Sequence, residues 1–277
     1  MRAKVVSALS LYRKKLLTLT EYFPSPRVKE LSEPYSIYIF LYNCIQNRQE
    51  ERAIETLNSS PSLQKLLPLF LTSKRRFARL KAIRILSRDP QNNPLLFPLL
   101  EQEDEDVVRE ILSGLCERED ESILPFVPRF FEKDAFFIIF NCLPHFKDRE
   151  IRRRIAFSLT PYLSSSPFFQ IAFWRALKFL KVEDFVQEAL VALDSPHFQV
   201  SFNASSYLVT INAQKFAPVV LQKLPPVSFP SFISDHPFVI PYISTELFVT
   251  LPASVQKFLV EKAIEQGVKV PWLILGP

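Results

Sequence analysis

Residues 94–117 read PLLFPLLEQEDEDVVREILSGLCE, and their pattern decides the fold. An apolar run with prolines at Pro94 and Pro98 gives way to a string of acids, then to a stretch whose apolar residues recur three and four apart. Such spacings put side chains on one stripe of a helix. Proline is comfortable in the first helical turn and bends a helix when it falls later. The segment therefore predicts a bent first helix, a short acidic turn and a straighter second helix. The acids at 101–106 stand where a following helix N-terminus favours negative charge.

The stripe Val108–Leu112–Cys116 recurs along the chain as Ala78–Ala82–Leu86, Ile151–Ile155–Leu159 and Val200–Ala204–Leu208. Arginine follows the leading residue at Arg79, Arg109 and Arg152, whereas Ser201 follows Val200. Proline-bearing apolar segments precede several stripes, PSLQKLLPLFL from Pro61 and SILPFVPRFF from Ser122 among them. The leading positions lie 30, 43 and 49 residues apart, so the later units are longer or hold an extra helix. One helix pair cannot bury both of its faces alone, so neighbours must stack.

The run at 94–117 resembles a HEAT repeat, with paired helices, an acidic turn and Val-Arg opening the second helix. The likeness extends to 61–89 and 148–163 and more faintly to 183–211. Ankyrin and TPR arrays fit worse, because neither TPLH nor the Trp-Leu-Gly-Tyr pattern occurs. The resemblance implies an all-α fold, a right-handed α-solenoid of stacked antiparallel helix pairs of the HEAT/ARM type. It implies one elongated domain, with capping helices at 1–60, repeats at 61–211 and a Pro/Phe-rich cap at 212–277. In such arrays the arginine after the leading residue pairs with acids of the neighbouring turn. Arg79, Arg109 and Arg152 are thus expected to be structural, with Asp106 and Asp148 beside the latter two as rungs between units.

The expected caps begin with a basic amphipathic helix at 1–23, followed by helices at 35–47 and 48–60. PPVSFPSFISDHPFVIPYIS, at 225–244, reads as irregular packing against the last repeat. A final helix at 253–266 should stop at Gly267 in a left-handed turn.

Composition narrows the function. Three glycines in 277 residues argue against nucleotide-binding folds, which need glycine for tight turns and phosphate loops. The 26 phenylalanines imply an aromatic-rich core. Cys44, Cys116 and Cys142 are odd in number and lack CxxC spacing, which disfavours a disulfide framework or a zinc site. The first residues lack an unbroken apolar stretch and a cleavage site and do not read as a signal peptide. The longest apolar run, AFFIIF at 135–140, is far too short to span a bilayer. A reducing, cytoplasmic setting without transmembrane segments is the expectation.

No catalytic, metal or cofactor constellation emerges. His145, His197 and His236 fall in different units without ligand spacing, and GxSxG, HExxH, P-loop and GxGxxG motifs do not occur. Cys116 closes a core stripe and reads as packing, as does Trp174 in the apolar FFQIAFWRALKFL. The net charge of +5 is distributed in blocks, basic at 74–88 and acidic at 101–121. On the helix at 75–88, Lys81, Arg84 and Arg88 lie opposite the apolar side, and Arg149 and Arg153 could extend a basic strip onto a later unit. These are the candidate partner-binding residues. The expected function is a non-catalytic scaffold or adaptor that binds a protein partner on a solenoid surface. An alternative is a nucleic-acid-binding protein resembling HEAT-like alkylpurine DNA glycosylases, for which Trp174, Arg175 and Asp184 offer residue types without a matching motif. A HEAT-like bilin lyase or modification factor is a further alternative resting on fold alone.

Overall fold

The computed structural model of the chain describes Asn43 and residues 50–58, 67–73, 76–101 and 104–274. Every regular element among them is helical. No helix among the described residues is long and apolar enough to cross a membrane. The expected helices at 1–23 and 35–47, most of the Pro61 segment, Lys74, Arg75 and Cys44 lie outside the described residues. The chain divides into two units, residues 1–115 and 116–277.

In the first unit, α1 spans Glu50–Asn58, a 3-10 turn spans Leu67–Thr72 and α2 spans Arg76–Leu86. After a second 3-10 turn at Pro90–Asn92 come α3 (Asn93–Leu100) and α4 (Glu105–Glu117), whose last residues pass the unit boundary. Pro94 sits in the first turn of α3 and Pro98 inside it. Helix α4 starts earlier than the Val-Arg pair suggested, so that Glu105 and Asp106 occupy its first turn, where the helix dipole favours acids. The α2–α4 approach is set by Gly114. A Cβ built there would fall on the side chain of Ser87, which is itself fully buried. Only a residue without a side chain lets α4 pass Ser87 this closely.

The second unit continues with α5 (Val127–Phe137), a π turn at Ile138–Cys142, a 3-10 turn at Leu143–His145, and α6 (Arg149–Ser158). A 3-10 turn at Thr160–Ser164 leads into α7 (Pro167–Leu180), then the short α8 (Val186–Ala192) and the long α9 (Phe198–Lys223). Helix α8 is the extra element behind the 49-residue spacing to Val200, and both α7 and α8 pack on α9. The expected irregular segment after 212 is instead built from helical pieces. They are the second half of α9, a 3-10 turn at Pro226–Ser228, α10 (Phe229–Asp235), a 3-10 turn at Pro237–Tyr242 and α11 (Thr245–Thr250). Prolines open several of these pieces, because a helix's first turn needs no N–H from them. The final helix α12 (Ala253–Glu265) is followed by Gly267 at φ 64°, the left-handed stop expected there.

All the stripe residues are buried: Ala78, Ala82 and Leu86; Val108, Leu112 and Cys116; Ile151, Ile155 and Leu159; Val200, Ala204 and Leu208. The two breaks inside helices fall at Asp134 (φ −147°) and Asn212 (φ −155°) rather than at prolines. Asp134 accepts from the backbone N–H of Phe137 at 3.0 Å and Asn212 from that of Lys215 at 3.0 Å. Each is therefore a helix cap set inside a helix, and the chain restarts behind it. Below them lies an aromatic core in which the fully buried Trp174 meets Phe173 at 5.2 Å and Tyr207 at 5.6 Å.

The side-chain ties between elements have a common reach. Arg79 to Asp104 spans 25 residues, Arg175 to Asn203 spans 28, Ser206 to His236 spans 30 and Tyr162 to Pro128 spans 34. That reach is about one helix pair.

Candidate functional site

Helix α7, PFFQIAFWRALKFL, has two unlike sides. Ala172, Phe173, Trp174, Ala176, Leu177 and Leu180 are buried, whereas Phe168, Arg175, Lys178 and Phe179 follow one another along the other side at helical spacing. The end of α5 and the π turn bring Phe136 and Phe140 next to that stripe, through the restart that Asp134 caps. The phenylalanines remain partly in solvent, with exposures of 40% (Phe136), 53% (Phe140), 50% (Phe168) and 38% (Phe179). Phe136 stacks on Phe140 at 6.2 Å and meets the Phe168 edge at 6.0 Å, while Phe140 meets Phe179 at 5.7 Å. Contiguous apolar surface of this kind marks interaction sites, whereas scattered single residues need no explanation.

Arg175 crosses this face. Its guanidinium carbon lies 5.7 Å from the centre of the Phe136 ring, and its Nε donates to Asn203 Oδ1 at 3.0 Å. Asn203, buried on α9, donates in turn to the Gln199 carbonyl at 2.7 Å, which fixes its amide. Lys178, part-buried one turn on, has its pKa lowered by burial and by Arg175, against the pull of Asp235. Beneath it His236 is buried, with Nε2 3.0 Å from Ser206 Oγ and a pKa pushed down to about 4, chiefly by burial and then by Lys178.

The basic residues singled out from sequence are mostly committed to acids. Lys81 pairs with Glu55, and Arg84 holds Glu110 with two donors, Nε to Oε2 at 2.7 Å. Arg76 pairs with Asp106 in the same unit. Arg88 is exposed just beyond α2, and Arg149 is exposed in the first turn of α6. Arg153 pairs with Asp184 at 2.8 Å and lies 5.5 Å from the Phe157 ring. With Leu124, Glu150, Arg154 and Phe157 it lines a surface hollow of about 460 Å³, where Arg154 is paired with Glu121. Lys81, Arg84 and Arg88 belong to the first unit, and Arg149 and Arg153 to the second.

The repeat arginines follow three courses. Arg79 reaches Asp104, the acid before α4. Arg109 stays within its own helix beside Glu105 and Asp106, at 3.8 and 4.0 Å. Arg152 donates to the carbonyl of Lys147 at 2.8 Å, while Asp148 caps α6 by accepting from the Ile151 N–H at 2.9 Å. The rung to Asp148 is instead made by Glu119, whose carboxylate accepts from the backbone N–H groups of Lys147 and Asp148. Those bonds hold its pKa below the usual carboxylate value.

No protein-family model and no curated protein matches this chain. Function must therefore be argued from the site itself. Cys116 and Cys142 are both fully buried, and burial with the contact between them pushes the Cys116 thiol up, away from the nucleophilic thiolate. Among the described residues no group of three His, Cys, Asp or Glu side chains could hold a metal ion. The aromatic face escaped the sequence reading because Phe168 and Phe179 look no different from the buried Phe173 in a string of letters. The one signal available was the i, i+7, i+11 alignment of Phe168, Arg175 and Phe179.

Proposed function

We propose that this chain is a HEAT-like solenoid scaffold that captures a segment of a protein partner on the face formed by Phe136, Phe140, Phe168 and Phe179. The observation that carries the reading is that these four rings are contiguous yet 38–53% exposed. A solenoid arrangement is supported by the burial of every stripe residue and by ties whose reach is about one helix pair. The aromatic face, rather than the basic strip, carries the binding role, because Lys81, Arg84 and Arg153 already hold carboxylates. Those pairings also weigh against a phosphate track, which needs several uncommitted cations. The buried thiols Cys116 and Cys142 suit a reducing, cytoplasmic setting.

The test is affinity capture with the wild-type chain and a Phe140→Ser/Phe168→Ser double variant, followed by rebinding of the identified partner in purified form. The wild type should bind with micromolar or better affinity and the variant at least about tenfold more weakly. Equal binding by the two sinks the proposal.

A further inference from the structure

Helix α7 and the stretch from Ala135 through the π turn, which carry the four rings, hold no acid, although α5 carries Glu132 and Asp134 just before Phe136. Residues 135–146, 167–182 and 195–234 contain no Asp or Glu at all, although the chain as a whole holds 29. Helix α7 carries two charged side chains, Arg175 and Lys178, both cationic and both on the exposed stripe. Asp235 of α10 is the acid that acts on Lys178.

Arg175, like Arg152, is held by neutral groups rather than by a carboxylate. Arg76, Arg79, Arg84, Arg109, Arg118, Arg153 and Arg154 each have a carboxylate within ion-pairing distance. Arg175 is held instead by a neutral amide, through Nε alone. A guanidinium offers five N–H donors, and its terminal nitrogens suit a carboxylate in a bidentate grip. The amide and the Phe136 ring fix its orientation without neutralising it. A preset cation beside exposed rings is complementary to a segment that brings its own acids.

We infer that the partner segment is an acidic amphipathic helix, its apolar side chains set against the four phenylalanines and its carboxylates meeting Arg175 and Lys178. This rests on the protein-capture reading and adds the chemistry of the captured segment. Single-stranded nucleic acid also stacks on aromatic rings, but a backbone of phosphates calls for a longer cationic track than two side chains.

The probes are three 16-residue helical peptides with one Leu/Phe face, flanked by Glu, Lys or Gln, plus oligo(dT), each titrated by fluorescence anisotropy. The Glu peptide should bind about tenfold more tightly than the Lys peptide at low salt, with the preference shrinking at high salt. Arg175→Gln should weaken the Glu peptide about fivefold and leave the Gln peptide unchanged, and Arg175→Lys should recover part of the loss. Circular dichroism melts check that both variants fold as the wild type does. Equal affinity for the Glu and Lys peptides, with Phe140→Ser weakening both, overturns the acidic preference and leaves protein capture standing. Tighter binding of oligo(dT) than of any peptide, or no peptide binding, overturns both. A self-association of the chain that Phe140→Ser abolishes assigns the face to a second copy and overturns the inference as well.

Discussion

The region from α2 to α4 and the region from α5 to α10 solve the problem of covering helices in opposite ways. Around α2 and α4 the core is aliphatic, with Ile83, Leu86, Ile111 and Leu112 beside Ala78 and Ala82, Gly114 lies against Ser87, and Arg76, Arg79 and Arg84 are each answered by an acid. From α5 onward the contacts are large and aromatic, and the acids thin out until 195–234 has none. The first region closes its charges upon itself. The second leaves phenylalanines and Arg175 facing water. Charge in the first region is thus matched by opposite charge, whereas Arg175 meets a neutral amide and a ring.

The contrast can be broken most severely from the aromatic side. Trp174→Ala removes a fully buried ring that touches Phe173 and Tyr207, and should cost about 4 kcal/mol in urea unfolding. A cost near 1 kcal/mol would mean that this core is loosely packed. The charged region should break at Gly114→Ala, where one added methyl collides with Ser87 and destabilises by about 3 kcal/mol. If Gly114→Ala/Ser87→Gly restores stability, close approach is the cause; no rescue refutes it.

A pH titration comes next in size. His236, buried against Ser206 and near Lys178 and Asp235, keeps a pKa of about 4 in the fold. The unfolded chain takes up its proton near pH 6.5. Between those values the unfolded state binds more protons, so stability is full above about 6.5 and falls as the pH drops towards about 4, by up to about 3 kcal/mol. Melting curves of the wild type and His236→Asn across that window should differ in slope. Parallel curves would remove His236 as the source. Smallest is Arg84→Ala, which should cost under about 1 kcal/mol, because Arg84 is largely exposed and such pairs are weak. A loss above about 2 kcal/mol would show that the charged region depends on its ion pairs more than exposure allows.

Much of the helical architecture was legible because periodicity is written into single residues. Val108, Leu112 and Cys116 announce their shared burial four positions at a time, and Gly267 announces a helix end. The bends were not legible, since prolines dominate the text while Asp134 and Asn212 perform the turn through one side-chain hydrogen bond each. The candidate face was not legible either. Its rings come from α5, the π turn and α7, and their joint exposure depends on packing that brings Phe136 beside Phe168 and Phe140 beside Phe179. The pairing of Arg84 was not legible, because Glu110 answers it from 26 residues away, a distance no local pattern spans.

The shared reach of the inter-helix ties has a consequence for how the chain acquires its structure. A bond closing 25 to 34 residues closes a short loop, and the entropy of closure changes little across that range. Within each unit such ties can form without waiting for a distant partner, which favours rapid folding. Opening should follow the same route in reverse: amide hydrogens should exchange in blocks of one helix pair, rather than all at once.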